Sequence, residues 1–250
     1  MTIITSVKVR DGLILATDSM TQIYGRSPQG QQQFLKGYEN ARKLFQVGDL
    51  PIGVMTHGLG NIGQRSIEGL IREFSATGIG SRKKVEKIAE ALYDFIKGKY
   101  EEQGYGQLQE PPALGFYVAG YSPNGHFPDE WEFLLPRDKK AVQVRAAEDF
   151  GANWRGIDFP FTRLWMGFAL RIPERLAAKG WSQAEIGELI GDMPVQDAVN
   201  FAEYILRVTI GYTEFSVGPS ACGGPIQLAT LLPDEGFKWI ERPHLQISGK

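Results

Sequence analysis

Thr2 stands directly behind Met1. A threonine is small enough for routine removal of an initiator methionine, which leaves Thr2 as a free N-terminus. Such a residue holds a hydroxyl nucleophile and an α-amine together, and the amine, with a pKa near ~8, is a general base at neutral pH. The chemistry on offer is attack on an amide carbonyl. A second candidate is Gly58-Leu59-Gly60-Asn61-Ile62-Gly63, which matches the G-x-G-x-x-G pattern of dinucleotide sites. That fingerprint requires a βαβ unit whose second parallel strand ends in an acidic residue ~20 residues on. Here the pattern runs into helix and then helix again, which argues against a dinucleotide-binding oxidoreductase. Three scattered histidines and one cysteine give no metal-ligand spacing. No metal and no organic cofactor is expected. Cys222, the lone cysteine, excludes an intramolecular disulfide, suits a reducing cytosol, and by its type reads as buried and inert.

The elements that position these residues belong to an ordinary globular chain of 250 residues, 42% hydrophobic and 22% charged. We expect one domain over residues 1–250. The net charge of −2 gives no electrostatic case for nucleic acid or an anionic membrane. The short run Arg82-Lys83-Lys84 reads as a solvated face at a helix start. No apolar run approaches the ~18–20 residues of a membrane span. The apolar stretch at 12–16 lacks the flanks of a signal peptide, so a cytoplasmic protein is expected.

Ile3, Val7 and Val9, then Leu13-Ile14-Leu15-Ala16, predict a hairpin of strands 2–9 and 12–19 across Asp11-Gly12, a turn pair that tolerates φ > 0. Residues 20–41 are polar and read as a loop. Strands are expected at 42–47 and 51–57. A helix follows on Ile67, Leu70, Ile71 and Phe74, ending at Thr77-Gly78-Ile79-Gly80-Ser81. A second runs over 82–103 with Ser81 as its N-cap. Strands are predicted at 114–121, 130–135 and 141–145. The segment Phe150 to Gly156 reads as a functional loop. Helices are predicted at 161–178, from a Ser182 cap to 190, and at 193–210. A last strand pair covers 225–232 and 236–240. Segregated helices and antiparallel strands predict an α+β domain.

The pattern T-x7-R-D-G-L-I-L-A-T-D-S, from Thr2 to Ser19, resembles the N-terminus of proteasome-type β subunits, which are N-terminal-nucleophile hydrolases. In that family an Asp lies sixteen positions after the Thr, and Asp18 keeps that spacing. The family's next strand opens on a Lys, and Asn40-Ala41-Arg42-Lys43-Leu44-Phe45 fits, with a longer interval before it. Ile52-Gly53-Val54-Met55-Thr56-His57-Gly58 is similar to the family's "G-x-M-[SA]-G-G" strand end. Pro219 to Ala229 resembles its "D-x-x-S-G-G-P" segment.

The resemblance implies a four-layer αββα sandwich and peptide-bond hydrolysis through an acyl-enzyme. It implies Thr2 as nucleophile, Lys43 to lower pKa values nearby, and Asp18 to hold Lys43 charged. The oxyanion donor falls at His57 or Gly58, and a bulky His57 is unusual there. Thr21, Met55 and the 20–41 segment would line the substrate pocket. The partners implied are a peptide or protein substrate and further copies of the chain, in rings or stacked oligomers. Whether an ATPase feeds the enzyme is not fixed by the resemblance. The chain departs from the family at Pro219 (for Asp), at Cys222 (for Ser), and near Gly156, where the family has a Ser-Gly turn. Those departures leave a second expectation open, a catalytically silent assembly subunit.

Overall fold

The computed structural model describes residues 2–27, 31–77, 84–166 and 183–242. The chain is α+β. Strands β1 (Ile3–Val9) and β2 (Gly12–Thr17) form the expected first hairpin. The small hairpins are β3 (Thr21–Arg26) with β4 (Gln32–Tyr38) and β7 (Asn61–Ile62) with β8 (Arg65–Ser66). Between them β5 (Leu44–Gln46) pairs with β6 (Ile52–Gly58). Helices α1 (Ile67–Ala76) and α2 (Val85–Glu102) precede β9 (Leu114–Gly120), β10 (Asp129–Leu135), β11 (Val142–Arg145) and β12 (Gly151–Gly156). Then come α3 (Phe159–Met166), α4 (Gln183–Gly191) and α5 (Val195–Glu214), and the chain closes on β13 (Gln227–Leu232) and β14 (Gly236–Glu241). The strands make two five-stranded antiparallel sheets, β12-β1-β2-β13-β14 and β11-β10-β9-β6-β5.

Every residue of β1 and β2 is buried. The reason is that both faces of their sheet are covered. Ile3, Val7 and Val9 pack with Phe161, Ala198, Ala202 and Ile205 of the helices. Successive side chains in a strand point to opposite faces, so Ile4 faces the other way, into a cluster with Leu15 of β2 and with Leu44, Met55 and Tyr117 of the facing sheet. That second sheet buries Val54, Phe116 and Val118 under Leu70, Ile88, Leu92 and Ile96 of α1 and α2. Each such side chain contributes roughly 1.5–3 kcal/mol of burial free energy. Helix α1 starts where Ser66 Oγ accepts from Gly69 N at 3.1 Å, a side-chain N-cap.

Two expectations are corrected. Residues 20–41 are largely a hairpin, β3–β4. Few of its residues are covered, so no apolar alternation marked it; its β-formers Ile23, Tyr24, Phe34 and Tyr38 are all exposed. Residues 151–156 form β12, an edge strand on β1, with Gly151 and Gly156 at its ends. Helix α5 runs beyond residue 210 because its buried stripe continues to Thr213. The expected caps Ser81 and Ser182, Arg82-Lys83 and residues 167–178 of the predicted helix lie outside the described residues, as does Met1.

Candidate active site

Thr2 enters β1 and is 4% exposed. Its carbonyl accepts from Ile157 N at 2.9 Å. The turn that delivers this amide passes Gly156, at φ +93°, where a Cβ would lie 1.9 Å from Thr2 O. Only glycine fits so close to the backbone of Thr2. Gly156 therefore positions Thr2 by its lack of a side chain.

Asp18 follows β2 and is fully buried. Its carboxylate gathers four donors. Oδ1 accepts from Lys43 Nζ at 2.9 Å and Ile3 N at 3.2 Å, and Oδ2 from Gly223 N at 3.1 Å and Met20 N at 3.2 Å. Lys43 Nζ also donates to Met20 O. Burial is the main force on both groups: it raises the Asp18 pKa and lowers that of Lys43, and in each case the partner opposes the shift. Lys43 thus gives up its proton more readily than an exposed lysine. Its backbone is clamped from β13. Gln227 Oε1 accepts from Lys43 N and Leu44 N, both at 3.2 Å, while Gln227 Nε2 donates to Ala41 O at 2.7 Å. Sequence reasoning missed Gln227. The available signal was a lone amide in the otherwise apolar run Ile226-Gln227-Leu228-Ala229.

Thr2, Thr21, Lys43, His57 and Gly58 line one cleft of 760 Å³. The structure therefore gathers these five residues at one cleft, with Asp18 buried behind Lys43, and leaves out one expected residue. Met55 is fully buried in the cluster between the sheets and does not line the cleft, because strand alternation turns it toward Ile4 and Leu44. The amides of β6 alternate as well. Thr56 N donates across to Lys43 O at 3.0 Å. Gly58 N, two residues on, points to the same side, beyond the last β5 residue paired with β6. His57, by the same alternation, turns its amide toward its partner Gly115 on β9.

The glycine pattern at 58–63 has a different cause from a phosphate loop. Gly58 and Gly63 take φ of +93° and +56°, and a Cβ on Gly58 would lie 2.3 Å from Ala113 O. The β7–β8 hairpin separates β6 from α1, and both large sheets are antiparallel throughout. The dinucleotide expectation finds no βαβ unit among the described residues. No group of three or more metal-type ligands occurs there either.

Cys222 is buried near the ion pair, with its Sγ 3.3 Å from Thr213 Oγ1 and its pKa pushed up to about 11 by burial. It is a protonated thiol. Pro219 is exposed.

Two solved structures superimpose on almost the whole chain. One is an Anbu mutant from Hyphomicrobium sp. strain MC1, with a TM-score of 0.61 and 13% identity over 96% of this chain and 87% of that one. The other is Anbu, the ancestral β-subunit, from Yersinia bercovieri, with a TM-score of 0.58 and 10% identity over 97% and 88%. The chain has the Anbu fold. That fold agrees with the resemblance of the first sixty residues to proteasome-type β subunits. No protein-family model and no curated protein matches the sequence. The Anbu likeness is one of backbone, at an identity too low to transfer a catalytic residue. No helix among the described residues is long and apolar enough to cross a membrane.

Proposed function

We propose that this chain is a proteasome-like threonine hydrolase, a single domain over residues 1–250 built as a four-layer αββα sandwich. The observation that carries the reading is the buried Lys43–Asp18 pair, tied to the Ile3 amide and set beside Thr2 in the cleft. After loss of Met1, the Thr2 α-amine accepts the proton of Oγ as Oγ attacks a peptide carbonyl. Lys43 stabilises the developing negative charge, and Asp18 keeps Lys43 in place. The Gly58 N–H, unopposed at the end of β5, receives the oxyanion. Removal of one such donor typically costs ~10²–10³ in rate. Collapse breaks the C–N bond, passes the proton to the leaving amine, and leaves an ester on Thr2. Water, deprotonated by the same α-amine, hydrolyses that ester.

The mass of the intact protein, before and after incubation with a peptide epoxyketone, tests this. The expected result is a chain lacking Met1 that gains one adduct on Thr2. A Thr2→Ala variant should keep its fold, take no adduct and lose turnover. Retained Met1 on most molecules, or activity in Thr2→Ala, would refute the assignment. A second reading, a silent assembly subunit, is favoured by the protonated Cys222 and the exposed Pro219, which stand where the family has Ser and Asp. A free Thr2 that never reacts, in a protein that sediments as discrete oligomers, would establish that reading. Either reading predicts self-association into rings or stacks.

A further inference from the structure

His57 is the one cleft residue whose bulk departs from the resemblance, and its surroundings are specific. Along β6, Gly53 and Met55 face the opposite sheet: Met55 packs with Ile4, and a Cβ on Gly53 would lie 2.4 Å from Leu15 Cδ1. His57 is next in that parity and faces the same space at its open end. From the opposite sheet, alternation along β1 aims Thr2 into that space beside Ile4, and Arg155, the register partner of Ile4, enters from β12. The imidazole sits against Gly115 of β9, where a Cβ would come 2.1 Å from Nε2. The ring and that glycine are therefore required together. Among the described residues neither ring nitrogen has a hydrogen-bond partner, although His57 is part-buried. A polar group in that position is satisfied by water or by a ligand.

We propose that the His57 side chain reads the substrate residue next to the scissile bond. It selects a neutral hydrogen-bonding group, a hydroxyl or carboxamide, over an apolar one. This rests on the hydrolase reading above. A neutral imidazole offers one donor and one acceptor, the complement of a carboxamide. Burial first, then the charges of Arg155 and Arg137, lower the His57 pKa to about 4, so the ring is neutral at pH 7.

The test is a pair of fluorogenic peptides differing only in the residue before the cleaved bond, Gln or Leu. Wild-type protein should prefer Gln to Leu by about fivefold, the worth of one neutral hydrogen bond. His57→Leu, near in size, should level Gln and Leu. His57→Gln should restore the preference. A ratio unchanged in His57→Leu would overturn the proposal. A wild-type protein that cleaves neither peptide would instead strike the hydrolase reading. His57 is then judged by binding. With three histidines in the chain, the imidazole resonance missing from the His57→Gln spectrum is identifiable. It should move on addition of the Gln peptide and not the Leu peptide; no movement with either overturns the assignment.

Discussion

Two clusters of buried charge lie along the same side of β1, one at each end, and only one of them adjoins a cleft. At the first end Thr2 adjoins Asp18 and Lys43 and opens on the cleft. At the other, Ser6 and Lys8 continue the alternation of Thr2 and Ile4 toward the facing sheet. Glu130 Oε1 accepts from Ser6 Oγ and Tyr117 OH, both at 2.7 Å, and Oε2 lies 2.7 Å from Arg145 Nε as a charge contact without an aligned hydrogen bond. Lys8 Nζ donates to Ala147 O at 2.7 Å and Ala146 O at 3.3 Å. Both ends hold a buried lysine and a buried carboxylate. The difference is access: none of Ser6, Lys8, Tyr117 and Glu130 lines the cleft. A buried ion pair is thus no mark of catalysis until a nucleophile and a path for substrate meet it.

The largest expected effect breaks each pair in turn. Asp18→Ala and Glu130→Ala each strand a buried cation, a loss of about 3–5 kcal/mol, measured as the shift of the urea unfolding curve. The two should part in activity. Asp18→Ala removes turnover, because Lys43 loses its anchor. Glu130→Ala should keep the wild-type rate per folded molecule. A folded Glu130→Ala protein without activity would show that the closed end is part of the machinery.

The next effect is one of pH and belongs to the open end alone. The folded His57 pKa of about 4 lies below the ordinary 6.5, so as pH falls the unfolded chain takes up a proton first. The stability tied to neutral His57 is complete above pH 6.5 and is lost as pH falls toward 4. It amounts to about 3 kcal/mol at most. His57→Gln should flatten this limb of stability against pH, whereas Glu130→Ala should leave its shape unchanged. An identical limb in His57→Gln would place the titrating group elsewhere.

The two ends also differ in how well the sequence shows them. Asp18 and Lys43 were legible because a motif and its spacing carry them. The closed end was not. Ser6 and Lys8 alternate with Val7 and Val9, a pattern that reads as polar-out on a half-exposed strand. In the fold both faces of β1 are buried, and the partners of Ser6 come from more than a hundred residues away on β9 and β10. No local pattern encodes such a pairing. The same limit hid β12, whose Gly151 and Gly156 read as loop signals until β1 was found beside it. It hid Gln227 as well, which acts on residues 41–44 from another strand. The apolar stripes of α1, α2 and α5 were legible because each is set by its own spacing.

The smallest effect sharpens the contrast on β1 itself. Ser6→Ala removes one donor from Glu130 Oε1 but leaves Tyr117 OH at 2.7 Å on the same oxygen. The acceptor stays satisfied, so the cost should be near 1 kcal/mol, with turnover unchanged. Thr2→Ala deletes a hydroxyl, together with the γ-methyl, four residues earlier on the same strand face. It should do the reverse, with unfolding unmoved and turnover gone. Ser6 Oγ is held by two partners inside the protein, so its removal registers in stability. Thr2 lines the cleft, so removal of its Oγ should register in chemistry. Equal stability losses in the two variants would mean that Thr2 Oγ is also held within the fold, and that the open end is a second closed one.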